Sequence, residues 1–463
     1  MSQVVETRFD KLRAATSGSV LRAGDDGYDA ARRLWNADHD RRPAVIVRAR
    51  STRDVQAAVR YAVAEGLELA VRGGGHSMAG LSSVDDGLMI DLSLMNEVTV
   101  DPRTRRARAG GGALLGDLDA ATQAHGLAVP AGMVSHTGIG GLTLGGGIGW
   151  LTRMHGLTAD NLESVRIVTA DGSVRRAAAD ENADLFWAVR GGGGNFGVVT
   201  EFEYRLYPVG PVVQYGMAFW GHDQGTQVLR ALREIIPALP REVGISLRCL
   251  NAPRAPFVPA EHQSKLGYAL VMVGFGAAEQ HARAMEQVRA AVPPLFELAA
   301  PMPYVDVQQL LDQVMSWDAY HYEKGTYLPT LSDEAIEIIH EHLSRKVSPM
   351  STLMFYYLDQ AYTEVAEAAT AFGGTRTARY SMFIVANTAE PGGLEHERAW
   401  VRALWDALQP SAVNIGSYVN GMAEPDEARI RAAYGDKYDR LREVKRRYDP
   451  DNVFHRNQNI RPA

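Results

Sequence analysis

Val71-Arg72-Gly73-Gly74-Gly75-His76-Ser77 ends a short apolar run that begins at Leu67. Three consecutive glycines admit backbone geometries that a Cβ resists, and they let a ligand approach the main chain. A glycine-rich turn after a strand offers its peptide N–H groups to phosphate oxygens at little steric cost. One such turn says little by itself. Glycine clusters recur, however, at Gly110-Gly111-Gly112, Gly138-Ile139-Gly140-Gly141, Gly145-Gly146-Gly147 and Gly191-Gly192-Gly193-Gly194. One extended polyphosphate ligand lying across several loops accounts for this better than unrelated turns.

Upstream of the loop, Ala44 to Ala49 reads as a strand. Ser51 or Thr52 can cap the helix that follows, because their hydroxyl oxygens accept from otherwise unpaired N–H groups. Val55, Ala58, Val59, Ala62 and Val63 form its apolar face, and Gly66 ends it. The unit is strand, helix, strand, with the glycine loop at its carboxyl edge. Residues 1–42 read as a polar lead-in with one or two short helices. Downstream come short strands over 88–110 and a helix over 113–125. Residues 127–151 hold too much glycine for a helix interior and too many apolar residues for a solvent loop. Buried backbone must be paired, so this segment is expected to wrap a ligand. A hairpin turns at Asp171-Gly172, a short helix covers 184–189, and a strand follows Gly197. Pro208, Gly210 and Pro211 mark a boundary. Beyond it, strand-like runs at 244–250, 266–275, 352–358 and 381–388 alternate with helical runs at 226–238, 277–291, 332–345 and 395–408, which suggests a sheet with helices over one face.

A chain of 463 residues calls for two or three domains. The formal charge of -7 disfavours nucleic acid as a partner. No apolar run resembles a membrane span, and the first residues lack the layout of a secretion signal. Cys249 is the sole cysteine, so internal disulfides and multi-cysteine metal sites are excluded, no metal is expected, and a reducing cytoplasm is the default compartment. The basic run Lys445-Arg446-Arg447 reads as a solvated helix face.

Four stretches together resemble the FAD-linked oxidases of the vanillyl-alcohol oxidase superfamily, more closely its berberine-bridge-enzyme-like branch. They are VRGGGHS (71–77), PAGMVSHTGIGGLTLGGGIGWLTRMHGLTADN (130–161), DLFWAVRGGGGNFGVVTEFEYRLYP (184–208) and YGDKYDRLREVKRRYDPDNVFHRNQNI (434–460). The resemblance implies an α+β fold: a two-part FAD-binding domain from residues 1–208 and 411–463, and an inserted substrate domain, 209–410, made of a largely antiparallel sheet covered by helices. It implies FAD attached covalently to His76; the blander alternative is a loop histidine that hydrogen-bonds nearby backbone. Some relatives add a second link through a cysteine where this chain has Val134, so attachment through His76 only is expected. The implied cofactor contacts are Arg72, Gly73, Gly74, Gly75, His76, Ser77, Gly132, Thr137, Gly138, Gly140, Gly141, Gly147, Asn161, Gly197, Val198, Val199 and Asn457, with Gln458 beside the last.

Flavin chemistry would remove a hydride from an alcohol, phenol or cyclic amine of small or medium size, of the kind found in secondary metabolism, and molecular oxygen would be reduced to hydrogen peroxide. A dehydrogenase with another acceptor and a flavin-containing metabolite-binding or resistance protein are the alternatives. Candidate catalytic residues are Tyr418, Tyr322 and Tyr320. Tyr418 leads, because related enzymes carry a tyrosine near an equivalent Y-x-N segment, here with Asn420. His136 is a candidate pocket contact, and His155 is expected behind it. Plant members keep an acidic base in the region matching 377–388; Thr377 to Ile384 contains no acid, which leaves tyrosine-assisted oxidation or an amine that binds neutral. A monomer or homodimer is expected.

Overall fold

The computed structural model describes residues 2–413 and 416–463. Its first sheet holds β1 (Ser19–Leu21), β2 (Val45–Arg48), β3 (Leu69–Arg72) and β4 (Leu88–Asp91) in the order β1-β2-β4-β3. β4 lies between β2 and β3 and runs parallel to both. The strand–helix–strand unit read from the sequence is therefore opened by an inserted strand. Ser51 caps the intervening helix, Thr52–Ala64, by accepting from the Asp54 N–H. Val55, Ala58, Val59 and Ala62 of its apolar face are buried, whereas Val63 is 46% exposed. The lead-in contributes more than expected: its first helix spans Ser2–Ala15, and β1 adds an antiparallel edge.

The chain continues through β5 (Val98–Asp101), β6 (Arg106–Gly110), β7 (Leu127–Ala128), β8 (Leu162–Val168), β9 (Val174–Ala178), β10 (Val198–Arg205) and β11 (Tyr207–Pro208). A five-stranded sheet forms in the order β5-β6-β10-β8-β9, and β7 pairs with β11. Its core takes in Leu115, Leu118, Phe186, Trp187 and Phe202, and the C-terminal Tyr434, Leu441 and Tyr448. The C-terminal segment thus completes a core begun some 300 residues earlier.

The third sheet, antiparallel throughout, runs β15-β12-β14-β13-β17-β18-β16. Its strands are β12 (Val212–Gly221), β13 (Val243–Asn251), β14 (Leu266–Gly274), β15 (Phe296–Pro303), β16 (Tyr320–Leu328), β17 (Thr352–Leu358) and β18 (Arg379–Thr388). Helices Gly225–Ile235, Ala278–Ala291, Asp333–Leu343 and Pro391–Leu408 cover one face. The sequence pattern shows four of these strands; β12, β15 and β16 are the additions. Side chains of a strand alternate between faces, so the other face of this sheet is free to meet the glycine-rich loops.

Buried ion pairs fasten the layers. Arg153 donates to both Asp359 carboxylate oxygens at 2.6 and 2.9 Å, and Arg376 grips Asp160 at 2.9 and 2.7 Å. Lys445 is fully buried, contrary to the solvated face expected for it. Its ammonium donates to Asp449 (2.6 Å) and to the carbonyls of Asn195 (2.7 Å) and Phe454 (2.8 Å). Asn195 in turn donates to the Gln458 carbonyl and accepts from the Ile460 N–H. These bonds stitch the tail to the glycine loop at 191–197.

Candidate functional site

A cavity lies between the glycine loops and the uncovered face of the third sheet, with about 1880 Å³ not filled by protein atoms and part of it open to solvent. Glycine turns wall one end. Gly75 adopts φ +71°, a left-handed conformation that glycine accepts without strain. A Cβ on Gly74 would collide with the Gly138 backbone, so the loops 73–77 and 137–141 approach each other only because both are glycine there. Among the described residues, the N–H groups of Gly74 through Met78 donate to no protein acceptor. Unpaired peptide donors in a partly enclosed cleft suit phosphate oxygens. Arg456, held by the Ser83 carbonyl at 2.7 Å, is the one cationic residue among those described on the wall. The set of donors, close-packed glycines and one cation fits a dinucleotide such as FAD.

Of the cofactor contacts expected from the sequence, Gly73, Gly74, Gly75, His76, Ser77, Gly132, Thr137, Gly138, Gly140, Gly141, Gly197, Val198, Val199 and Asn457 line this cavity, with Val134 and Gln458. Arg72, Gly147 and Asn161 stand behind the wall. Arg72 braces the loop from below by bonding Asp91 at 3.0 Å and the Arg33 carbonyl at 3.3 Å. Asn161 donates to the carbonyls of His155 and Leu157, both at 2.8 Å, and accepts from Tyr207. The Gly147 N–H donates to the Tyr418 hydroxyl at 2.9 Å. His155, stacked on Tyr207 with ring centres 3.7 Å apart, also lies off the cavity.

His76 projects into the cavity with one ring face on Trp35, at 4.4 Å and 15°. Its Nε2 is 2.6 Å from His136 Nδ1. Burial, with His136 and His321 as further causes, holds its pKa well below the ordinary imidazole value, so the ring is neutral. Trp35 comes from the lead-in, where nothing in the local pattern marks it. Its indole N–H donates to the Met315 carbonyl at 2.6 Å, and its far face stacks on His321 at 3.8 Å.

Across the cavity, β16, β17 and β18 present Glu323, Met354, Tyr356 and Phe383, joined by Tyr418, Asn420 and Met422. The Tyr418 oxygen accepts from Gly147 N–H and from Asn420 Nδ2, both at 2.9 Å, which occupies its two lone pairs and frees its own proton to donate. Burial pushes its pKa up to about 12, so it is a neutral phenol near pH 7. Glu323 was missed by sequence reasoning. It is 6% exposed, and burial alone pushes its carboxyl up to about 8. Its side chain lies directly over Gly421, where a Cβ would collide with it.

Tyr320 and Tyr322 do not join this group. Both project from the opposite face of β16 into the helix-covered core. The Tyr322 hydroxyl donates to Glu424 at 2.7 Å and accepts from Arg402 at 3.2 Å. The geometry that would make them catalytic is absent, because alternation along β16 sends Glu323 to the cavity and its neighbour Tyr322 away. No group of three or more acidic, histidine or cysteine side chains among the described residues could hold a metal ion. No helix among them is long and apolar enough to cross a membrane.

Family models match two stretches: an FAD binding domain over residues 43–178 and a berberine and berberine-like domain over 417–461. The chain is 32% identical to (R)-6-hydroxynicotine oxidase of Paenarthrobacter nicotinovorans over 471 aligned positions, covering 96% of this chain and 97% of that one. The crystal structure of 6-hydroxy-D-nicotine oxidase from Arthrobacter nicotinovorans superposes with a TM-score of 0.87 at 29% identity, covering 97% of this chain and 98% of the other. Glucooligosaccharide oxidase from Acremonium strictum, whose structure concerns a 6-S-cysteinyl, 8α-N1-histidyl FAD, has a TM-score of 0.84 at 25% identity, with 99% of each chain covered. Matching along nearly its whole length, in sequence and in fold, the chain belongs to the FAD-linked oxidoreductases of the vanillyl-alcohol oxidase superfamily, in the berberine-bridge-enzyme-like branch.

Proposed function

We propose that this protein is an FAD-dependent oxidase, its flavin tethered through His76 alone. It removes a hydride from a carbon bearing a hydroxyl or amino group on a small or medium, largely apolar molecule and delivers the electrons to molecular oxygen. The observation that carries the reading is that the Glu323 carboxylate and the Tyr418 hydroxyl open onto the same cavity as the dinucleotide cradle. Bound FAD supplies the hydride acceptor and the route to oxygen. The N–H groups of residues 74–78 and the Ser77 and Thr137 hydroxyls hold its phosphates. Leu142, Met354, Phe383 and Met422 exclude water and bind the apolar body of the substrate. Tyr418 donates a hydrogen bond to the substrate oxygen or nitrogen and so orients the carbon beside it. Glu323, once ionised, accepts the O–H or N–H proton of the substrate as the hydride departs. Val134 supports a single tether, because a valine cannot form the thioether of the doubly linked relative.

Anaerobic mixing with alcohols, phenols and cyclic amines tests the reading. A true substrate bleaches the flavin, and readmitted air restores the colour with one peroxide per turnover. Dye reduction with little peroxide, or tight binding without bleaching, defeats the oxidase reading. After acid precipitation the yellow colour stays with wild-type protein and leaves His76→Ala; a flavin peptide containing Val134 contradicts the single tether.

A further inference from the structure

The His76 ring is fixed on two sides. Trp35 covers one face, and Trp35 is itself immobilised by His321 on its far face, by the Met315 carbonyl and by its own N–H bond to the Gly75 carbonyl at 3.1 Å. The Nε2 edge meets His136 Nδ1 at 2.6 Å, with ring centres 4.8 Å apart. Nε2 is thereby committed to a protein partner, and Nδ1 is the nitrogen left for chemistry. His136 is held in turn. Asp312 accepts from the Ser135 N–H at 2.8 Å and from its hydroxyl at 2.5 Å, and Thr137 N–H bonds the Val134 carbonyl at 3.1 Å. His136 Nε2 is buried, and the ring lies against the Asp312 backbone and carboxylate. The ionisable groups that bear on the pair are Asp312 and His321.

We propose that His136 is the positioning residue for flavin attachment: it fixes His76 with Nδ1 free for the ring methyl, and it takes the Nε2 proton of His76 as the bond forms. This rests on the tether through His76 proposed above. Neutral imidazole can attack through Nδ1 only as the tautomer protonated at Nε2. Alkylation of Nδ1 would leave an imidazolium in a buried site unless that proton moves. His136 Nδ1 is placed to receive it, and the Asp312 carboxylate opposes the charge that His136 acquires. The step balances. One N–H bond of His76 and one C–H bond of the methyl group break, and one C–N bond forms. The two electrons, with two protons in total, reduce the flavin, and molecular oxygen reoxidises it to give hydrogen peroxide. The same geometry assigns the link to Nδ1, which is the N1 position named for the glucooligosaccharide oxidase flavin.

The test uses full-length wild type, His136→Ala, His136→Asn and Asp312→Asn. Each is incubated with FAD in air, total bound flavin is read by absorbance, and the covalent fraction is read by in-gel fluorescence after acid precipitation. The expected result is that His136→Ala binds FAD but attaches it at least about 100-fold more slowly, the scale of a lost general base. His136→Asn keeps an acceptor for His76 Nε2 without being a base; it is expected to bind FAD as wild type does and still to attach it slowly. Added imidazole should speed attachment in His136→Ala, a rescue that a purely structural defect would not show. Asp312→Asn should slow attachment less. Should His136→Ala fail to fold, His136→Asn decides alone: attachment at the wild-type rate overturns the proposal. So does a flavin peptide joined through Nε2. Wild type without covalent flavin overturns the tether itself and this inference with it, whereas a tethered wild type matched by both His136 variants overturns only this inference.

Discussion

Replacing Glu323 by glutamine keeps the shape of the side chain and removes the one acid among the described residues of the cavity wall. Burial raises this carboxyl from its ordinary 4.5 to about 8. The folded protein therefore holds the proton over a pH window in which the unfolded chain has lost it. Stability falls as pH rises wherever the native state binds more protons, so the cost of Glu323 is absent below about pH 4.5, grows through the window and is complete above about pH 8. At about 1.36 kcal/mol per pH unit, the full cost is on the order of 5 kcal/mol. With an unfolding entropy of about 2.1 cal/mol/K per residue over this chain, Glu323→Gln should melt about 5 °C above wild type at pH 9 and within about 1 °C of it at pH 4.5. Scanning calorimetry across this range checks the first half of the argument. The second half is kinetic: wild-type kcat/KM should rise with pH on a limb near 8 as the base ionises, and Glu323→Gln should lose the limb along with about 100- to 10,000-fold of rate. A melting difference that does not change with pH, together with an intact kinetic limb in the variant, would refute the reasoning.

Tyr418→Phe removes the hydroxyl proposed to orient substrate and should lower kcat/KM by about 10- to 100-fold, the equivalent of about 1.5–3 kcal/mol, while leaving the limb near pH 8 in place; a displaced limb would make Tyr418 part of the base. Tyr322→Phe loses the bonds to Glu424 and Arg402 on the helix side, so stopped-flow reduction should match wild type, and a 100-fold slower reduction would return catalysis to that face of β16. Lys445→Met strands the buried Asp449 carboxylate and should cost about 3–5 kcal/mol, read as a lower melting temperature and weaker retention of the 454–460 tail by limited proteolysis; an unchanged melting curve would show the pair contributes little.

The cofactor machinery was readable because it is local. A glycine at φ +71° or at a backbone collision point is demanded by its immediate neighbours, so loops such as 73–77 and 138–141 leave their mark in a few consecutive letters. Even there, reading by segment could not say which members of a motif face the ligand. Arg72, Gly147 and Asn161 share motifs with true wall residues, yet their bonding groups point to Asp91, Tyr418 and Tyr207. The reaction end is tertiary and was hidden for a definite reason. A half-buried strand shows itself by alternation of apolar and polar residues. β16 is buried on both faces: Tyr320, Tyr322, Lys324 and Leu328 lie toward the helices, and His321, Glu323, Gly325 and Tyr327 lie toward the loops. Both rows mix aromatic and polar side chains, so the run YHYEKGTYL carries no alternation and its phase could not be assigned.

That hidden phase bears on substrate. The region 377–388 forms most of β18 and has no acidic residue. Glu323 stands on the neighbouring strand, paired in register with Val385, about 4.8 Å across the ladder, on the face that meets the cavity. A base on β16 serves only a substrate whose acidic O–H or N–H comes to it, because proton transfer needs heavy atoms within about 3 Å. The screen should therefore favour molecules whose proton-bearing heteroatom can reach Glu323 while the same group, or its neighbour, accepts from Tyr418.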